Sequence, residues 1–157
     1  MLVVGCFPSI LSGVIPCVLF EDEHLLVVNK PAGVNTHAPS PFAGEGLYDW
    51  LRHREPRWAA LAIIHRLDKE TSGVMVFGRT PLANRSLTGQ FTARTVHKKY
   101  LLLTDGAVPR AEFTVKSAIR RVGEKYASRD GGEPAETHFR VIESREGRTL
   151  VAAEPRT

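Results

Sequence analysis

The chain has 157 residues, a formal net charge of +4 and a sequence pI of about 9.3, with 43% hydrophobic and 24% charged residues. That length suits one domain able to bury roughly two thirds of its unfolded surface, and the composition excludes a disordered or low-complexity chain. Two cysteines, Cys6 and Cys17, exclude a disulfide framework and offer no zinc-site spacing, so a reduced, cytoplasmic setting is expected.

The first nineteen residues are apolar, but no Lys or Arg precedes the run, and Pro8 and Pro16 break it. It therefore fits neither a signal peptide nor a membrane span. Residues 1–13 are assigned as an N-terminal extension of unclear role, and one domain is expected over 14–157. Val14 to Leu19 is a short apolar strand, ended by the turn at Glu21-Asp22-Glu23-His24. Leu25 to Val28 reads as a buried strand, and Asn29-Lys30-Pro31-Ala32-Gly33 as a shaped loop. Ala38 to Gly46, rich in Pro, Ser and Gly, is a mobile surface loop. Leu47, Trp50 and Leu51 have the spacing of one helical face, so a helix is predicted from Leu47 to Arg54, stopped by Pro56.

Leu61 to Ile64 and Val74 to Phe77 are strand-like, and the polar segment His65 to Gly73 lies between them. Thr80-Pro81 looks like an N-cap and first-turn proline, opening a helix over Leu82 to Arg94 with Leu87 and Phe91 on one face. Strands follow at Lys98 to Leu103, Glu112 to Ile119, Thr137 to Glu143 and Thr149 to Ala153. The last two are joined by a hairpin-like loop, Ser144 to Arg148. The fold class is α+β: a mostly antiparallel, mixed sheet with short flanking helices.

Charge is uneven. Between Arg52 and Lys99 there are ten basic and three acidic residues, whereas the remainder holds eleven basic and fourteen acidic. A basic middle suits a polyanion-binding face or a plain solvated surface, and charge alone does not choose.

Asp68 is the residue most suggestive of chemistry. A carboxylate in a polar loop between apolar strands is a candidate nucleophile or general base, and Arg66 and Lys69 put two cations beside it. The competing reading is a turn cap in which the carboxylate accepts from the amides of Thr71 or Ser72. Ser72 lacks the third group a hydrolase triad would need beside His65, and His37 and His65 have no metal-ligand spacing, so no metal is expected.

The stretch His65-Arg66-Leu67-Asp68-Lys69-Glu70-Thr71-Ser72-Gly73 resembles the signature of the RluA-like family of RNA pseudouridine synthases: His-Arg-Leu-Asp, two variable positions, then Thr-Ser-Gly. Three further stretches resemble the family in the same order. They are Glu21 through the Lys-Pro loop to Val34, Gln90 to Tyr100, and Ala135 to Val151. The resemblance runs over about residues 14 to 157. It implies the pseudouridine synthase catalytic fold and isomerisation of uridine to pseudouridine in structured RNA, ribosomal or transfer. It also implies base flipping and no cofactor. Asp68 is then the catalytic aspartate and Arg66 fills the space the base vacates. Tyr100 stacks near the flipped base, and His65 contacts substrate; Lys30 and Pro31 buttress the active-site loop, with Lys30 also in reach of a phosphate. Leu67, Thr71, Ser72, Gly73 and Pro31 shape the loop. The partner is RNA, with no membrane.

The resemblance also implies more chain than is present. Family members carry Gly-Arg-Thr-His-Gln-Ile-Arg and some tens of further residues beyond the position of Pro155-Arg156-Thr157, including an arginine that pairs with the catalytic aspartate. The domain is thus expected to lack its usual C-terminal part, leaving an open sheet edge through which copies could self-associate. A catalytically inactive RNA-binding fragment is the alternative expectation.

Overall fold

The computed structural model describes residues 17–40, 44–123 and 125–156. The expected N-terminal extension, the start of the first expected strand, and part of the 38–46 loop lie outside the described residues. The chain divides into two compact units, Met1–Ala93 and Arg94–Thr157.

The first unit is a four-stranded antiparallel sheet carrying two helices. Its strands are β1 (Val18–Glu21), β2 (Leu25–Lys30), β3 (Ala62–Ile63) and β4 (Gly73–Gly78), in the order β1-β2-β4-β3. Side chains alternate across a strand, and β2 shows it: Leu26, Val28 and Lys30 are buried, with half-buried residues between. Met75 and Phe77 of β4 face the same core. Helix α1 (Leu47–Arg54) has the predicted limits and closes that core with Leu47, Trp50 and Leu51. Its first turn is fixed by the Asp49 carboxylate, which accepts from Gly46 N–H at 3.1 Å and Ala38 N–H at 2.6 Å. A single 3₁₀ turn at Pro56–Trp58 then drops Trp58 into the core, where it is fully buried. Helix α2 (Pro81–Thr92) is capped as predicted, with Thr80 Oγ1 accepting from Ala83 N–H at 3.3 Å, but it ends two residues early.

The second unit is a five-stranded antiparallel sheet, ordered β5-β9-β8-β6-β7. Its strands are β5 (Tyr100–Thr104), β6 (Glu112–Val122), β7 (Lys125–Ser128), β8 (Glu133–Arg145) and β9 (Arg148–Pro155). The hairpin between β8 and β9 is tighter than the sequence suggests. Arg145 pairs with Arg148, leaving a two-residue turn at Glu146 and Gly147, both at positive φ. The fold class expected from sequence holds, with the strands shared between two sheets and every pairing antiparallel. β7 has no counterpart in the sequence reading, because Lys125-Tyr126-Ala127-Ser128 is short and mixed in polarity.

Candidate functional site

Asp68 lies on the connection from β3 to β4. Three anchors hold the backbone on either side of it. Before it, the buried Thr36 hydroxyl donates to Leu67 C=O at 2.7 Å and accepts from Leu67 N–H at 3.1 Å. After it, Lys69 C=O accepts from Gly33 N–H at 2.8 Å and from the Lys30 ammonium at 3.1 Å. The Asp68 carbonyl itself accepts from Thr71 N–H at 3.1 Å. With the flanking peptides and its own carbonyl pinned, the Asp68 side chain springs from a fixed base, the condition for a precisely aimed group.

The carboxylate is exposed and, among the described residues, makes no hydrogen bond and no ion pair. The turn-cap reading of Asp68 is therefore overturned: the turn closes through its carbonyl, and the carboxylate stays available. Arg66, two residues earlier, is likewise exposed and has no acid partner among the described residues. The loop thus presents an uncommitted carboxylate and an uncommitted guanidinium.

Of the two roles expected for Lys30, buttress and phosphate contact, its surroundings fit the first. It is fully buried on the core face of β2. Its three ammonium protons go to the carbonyls of Pro31 (3.0 Å), Val34 (2.7 Å) and Lys69 (3.1 Å). Burial holds its pKa below the ordinary lysine value, opposed by the negative charges of Glu70 and Asp68. A phosphate has no open donor to meet there, so Lys30 is a buttress that ties the Lys-Pro loop to the Asp68 loop. Pro31 serves the same joint through its carbonyl.

His65 is also turned toward the scaffold. Its ring stacks on Phe91 of α2, with centroids 4.7 Å apart and planes 12° from parallel. Its Nε2 accepts from Val76 N–H at 3.2 Å, which puts the proton of the neutral ring on Nδ1. These contacts anchor the start of the loop, and His65 itself is half-buried. Leu67 packs its side chain against the core. Gly73, directly opposite Lys30 in the sheet, has φ +142°, a conformation closed to most side chains, where the chain re-enters β4. Tyr100 opens β5 in the second unit, half-buried and paired with Ala153.

Thr36 is the residue that sequence reasoning missed. Its partner is 31 positions away, and a threonine in Asn35-Thr36-His37 has no local pattern to betray a buried clamp. Lys30 did carry a signal: it falls on the buried side of the Leu26, Val28 alternation.

The basic middle is partly spent within the fold. Arg52 donates to Ala59 C=O at 2.8 Å and lies over the Tyr48 ring. Arg54 pairs with Glu45, Arg57 with Glu21 and Glu55, and Arg79 with Glu21. Arg66, Lys69 and Arg85 of the same unit are exposed and keep their charge for solvent or a ligand. Among the described residues, no three His, Cys, Asp or Glu side chains gather to hold a metal ion, and no helix is long and apolar enough to cross a membrane.

Residues 24–157 match the family described as RNA pseudouridylate synthase. The chain is 40% identical over 132 residues to "Ribosomal large subunit pseudouridine synthase D" of Xylella fastidiosa, covering 80% of this chain and 40% of that protein. It is 36% identical over 146 residues to "Ribosomal large subunit pseudouridine synthase C" of Yersinia pestis, covering 90% and 45%. In structure it resembles "Human RNA Pseudouridylate Synthase Domain Containing 4", with a TM-score of 0.73 and 27% identity over 90% of this chain and 59% of that one. The chain therefore spans 40–45% of the length of these curated relatives.

Proposed function

The chain belongs to the RNA pseudouridylate synthase family, and from that membership we propose that it isomerises uridine to pseudouridine in ribosomal RNA, with Asp68 as the reacting carboxylate. The observation that carries the reading is the exposed Asp68 carboxylate, without a partner among the described residues, on a loop gripped at Leu67 and Lys69. A target uridine is flipped out of its stack, at a cost of a few kcal/mol. Arg66, whose planar cation both stacks and binds phosphate, occupies the gap. The N1–C1′ bond breaks, the base turns, and C5 bonds to C1′; the proton leaving C5 is balanced by one gained at N1. Asp68 assists as nucleophile or as base. Tyr100 offers the flat face against which the base rests. Thr36, Lys30 and His65 do not touch RNA; they fix where Asp68 stands.

The test is to incubate the chain with transcribed large-subunit ribosomal RNA and with transfer RNA, and to map pseudouridine by carbodiimide probing. New carbodiimide-resistant stops at discrete uridines are expected in the ribosomal transcript. A folded sample that binds RNA yet yields none would leave only the binding-module reading.

Thr36 gives a second check. Thr36→Val keeps the volume but leaves Leu67 N–H and C=O unpaired. A reacting group displaced by an ångström loses on the order of 10²-fold, so kcat is expected to fall about 10- to 100-fold with KM nearly unchanged. Thr36→Ser, which restores the hydroxyl, should recover most of it. Equal losses in the Val and Ser variants would show that the hydroxyl is not the clamp.

A further inference from the structure

The edge of the five-stranded sheet carries a second concentration of positive charge. β6 pairs with β8 from Glu112 to Ile119, but Arg120 to Val122 extend past β8 and pair only with β7. The result is a short two-stranded ribbon at the sheet edge. Opposed residues in an antiparallel pair share a face, as do alternate residues along one strand. Lys116, Ala118, Arg120 and Val122 therefore lie on one face, and Lys125, opposite Val122, lies there too. Arg129 continues the register by donating its N–H to Ala118 C=O at 2.8 Å, so it joins the same face.

Followed along the ribbon, this face meets a cation at every two-residue step: Lys116, Arg129, Arg120, Lys125. At a rise of about 3.4 Å per residue the step is about 7 Å, with the last three charges alternating between the two sides of the ribbon. Lys116 is paired with Glu136, directly opposite, at 3.0 Å. Arg120, Lys125 and Arg129 are exposed and have no acid partner among the described residues. The ribbon is also held in register. The turn that returns from it passes so close to β6 that a Cβ on Gly132 would stand 2.6 Å from the Ile119 carbonyl carbon. Only glycine fits there, and the three cations are thereby set on a defined frame.

An evenly spaced row of uncommitted cations on a face with only small apolar side chains between them suits a repeating anion. It does not suit a protein partner, whose interface would centre on buried aromatic and aliphatic anchors. We propose that the β6–β7 ribbon is an arm that binds the phosphate backbone of the RNA substrate through Arg120, Lys125 and Arg129. This rests on the reading of the chain as an RNA-modifying enzyme. Backbone contacts of this kind set position without reading sequence. The arm lies in the second unit, outside the stretch from Arg52 to Lys99 whose charge suits either a polyanion-binding face or a solvated surface.

The experiment uses the full chain, an in vitro transcript of large-subunit ribosomal RNA, and binding isotherms between about 50 and 200 mM salt. The triple variant Arg120→Gln, Lys125→Gln, Arg129→Gln is compared with Arg110→Gln, Arg145→Gln, Arg148→Gln, which removes the same charge elsewhere in the second unit. Three lost phosphate contacts should weaken binding about 100-fold at 0.1 M salt and flatten the log–log salt dependence by about two, while the control stays near wild type. Equal affinity in both triple variants overturns the arm, and if wild type still makes pseudouridine the Asp68 reading survives. Arm-dependent binding without pseudouridine sustains the arm and sinks the enzyme reading. Aggregation of the arm variant with unchanged RNA affinity would mean that the charges only guard a sheet edge, and would also overturn it.

Discussion

Asp68→Asn is expected to lower turnover by about 10³-fold or more while leaving RNA affinity within a factor of a few. Asparagine keeps the shape and the loop turn, since the bond that closes the turn uses the Asp68 carbonyl. It removes the carboxylate held between the gripped Leu67 and Lys69 peptides, and losing a group that attacks carbon or accepts a proton costs on the order of 10²- to 10⁴-fold. The carboxylate is exposed and unpartnered among the described residues, so folding should change little, as for other surface sites. One coupling is foreseen. The Asp68 charge helps hold the buried Lys30 ammonium, so the variant should show Lys30 titrating at lower pH. Single-turnover assays on transcribed ribosomal RNA, with binding measured in parallel, decide the matter; turnover surviving in Asp68→Asn would remove Asp68 from the chemistry.

Lys30→Met is the second large effect, and it is one of stability. Methionine fills the volume but donates nothing, so three buried carbonyls, of Pro31, Val34 and Lys69, lose the ammonium. An unsatisfied buried acceptor costs about 1–3 kcal/mol. Part of that is offset because a buried charge is also removed. A net destabilisation of about 2–4 kcal/mol is expected, read as a lower urea midpoint. Both tryptophans, Trp50 and Trp58, lie in the core of the first unit, so their fluorescence follows the unit that carries Asp68. A shift below about 0.5 kcal/mol, the ordinary range for surface changes, would mean that water replaces the ammonium and the joint is not a buttress.

The same residue makes a pH prediction. The folded-state pKa of Lys30 lies below the ordinary value of 10.5. As pH rises, the folded protein therefore gives up this proton before the unfolded chain does. In that window the unfolded state binds more protons, so stability from this group rises with pH and levels off above the ordinary lysine value. The stability difference between wild type and Lys30→Met should thus widen from neutral to alkaline pH, before other groups unfold the chain.

Local chemistry made some elements readable in advance. The spacing of Leu47, Trp50 and Leu51 gave α1 its limits, and Thr80-Pro81 gave α2 its cap, because both signals act within one turn. The extent of β6 and the whole of β7 were not readable. Their pairing runs along a sheet edge with little buried surface, so no alternation marks them. The division of the strands into two sheets was invisible for a related reason: a strand's pattern reports which side is buried but not which strand lies beside it.

For the site, the sequence by itself determined that Asp68 is a carboxylate set between two strands beside Arg66, in a pattern that belongs to one family. Position along the chain suffices for that. It did not determine what Asp68, Lys30 and His65 do with their polar atoms. Tertiary structure decided that the Asp68 carboxylate has no partner among the described residues, that Lys30 is buried, that His65 stacks on Phe91, and that Thr36 is the clamp. The places of Thr36 and Lys30 depend on hydrogen bonds to residues 31 and 39 positions away, and that of His65 on Val76, 11 positions away. Burial left Lys30 and Thr36 no water to bond, so each had to find its partners within the fold.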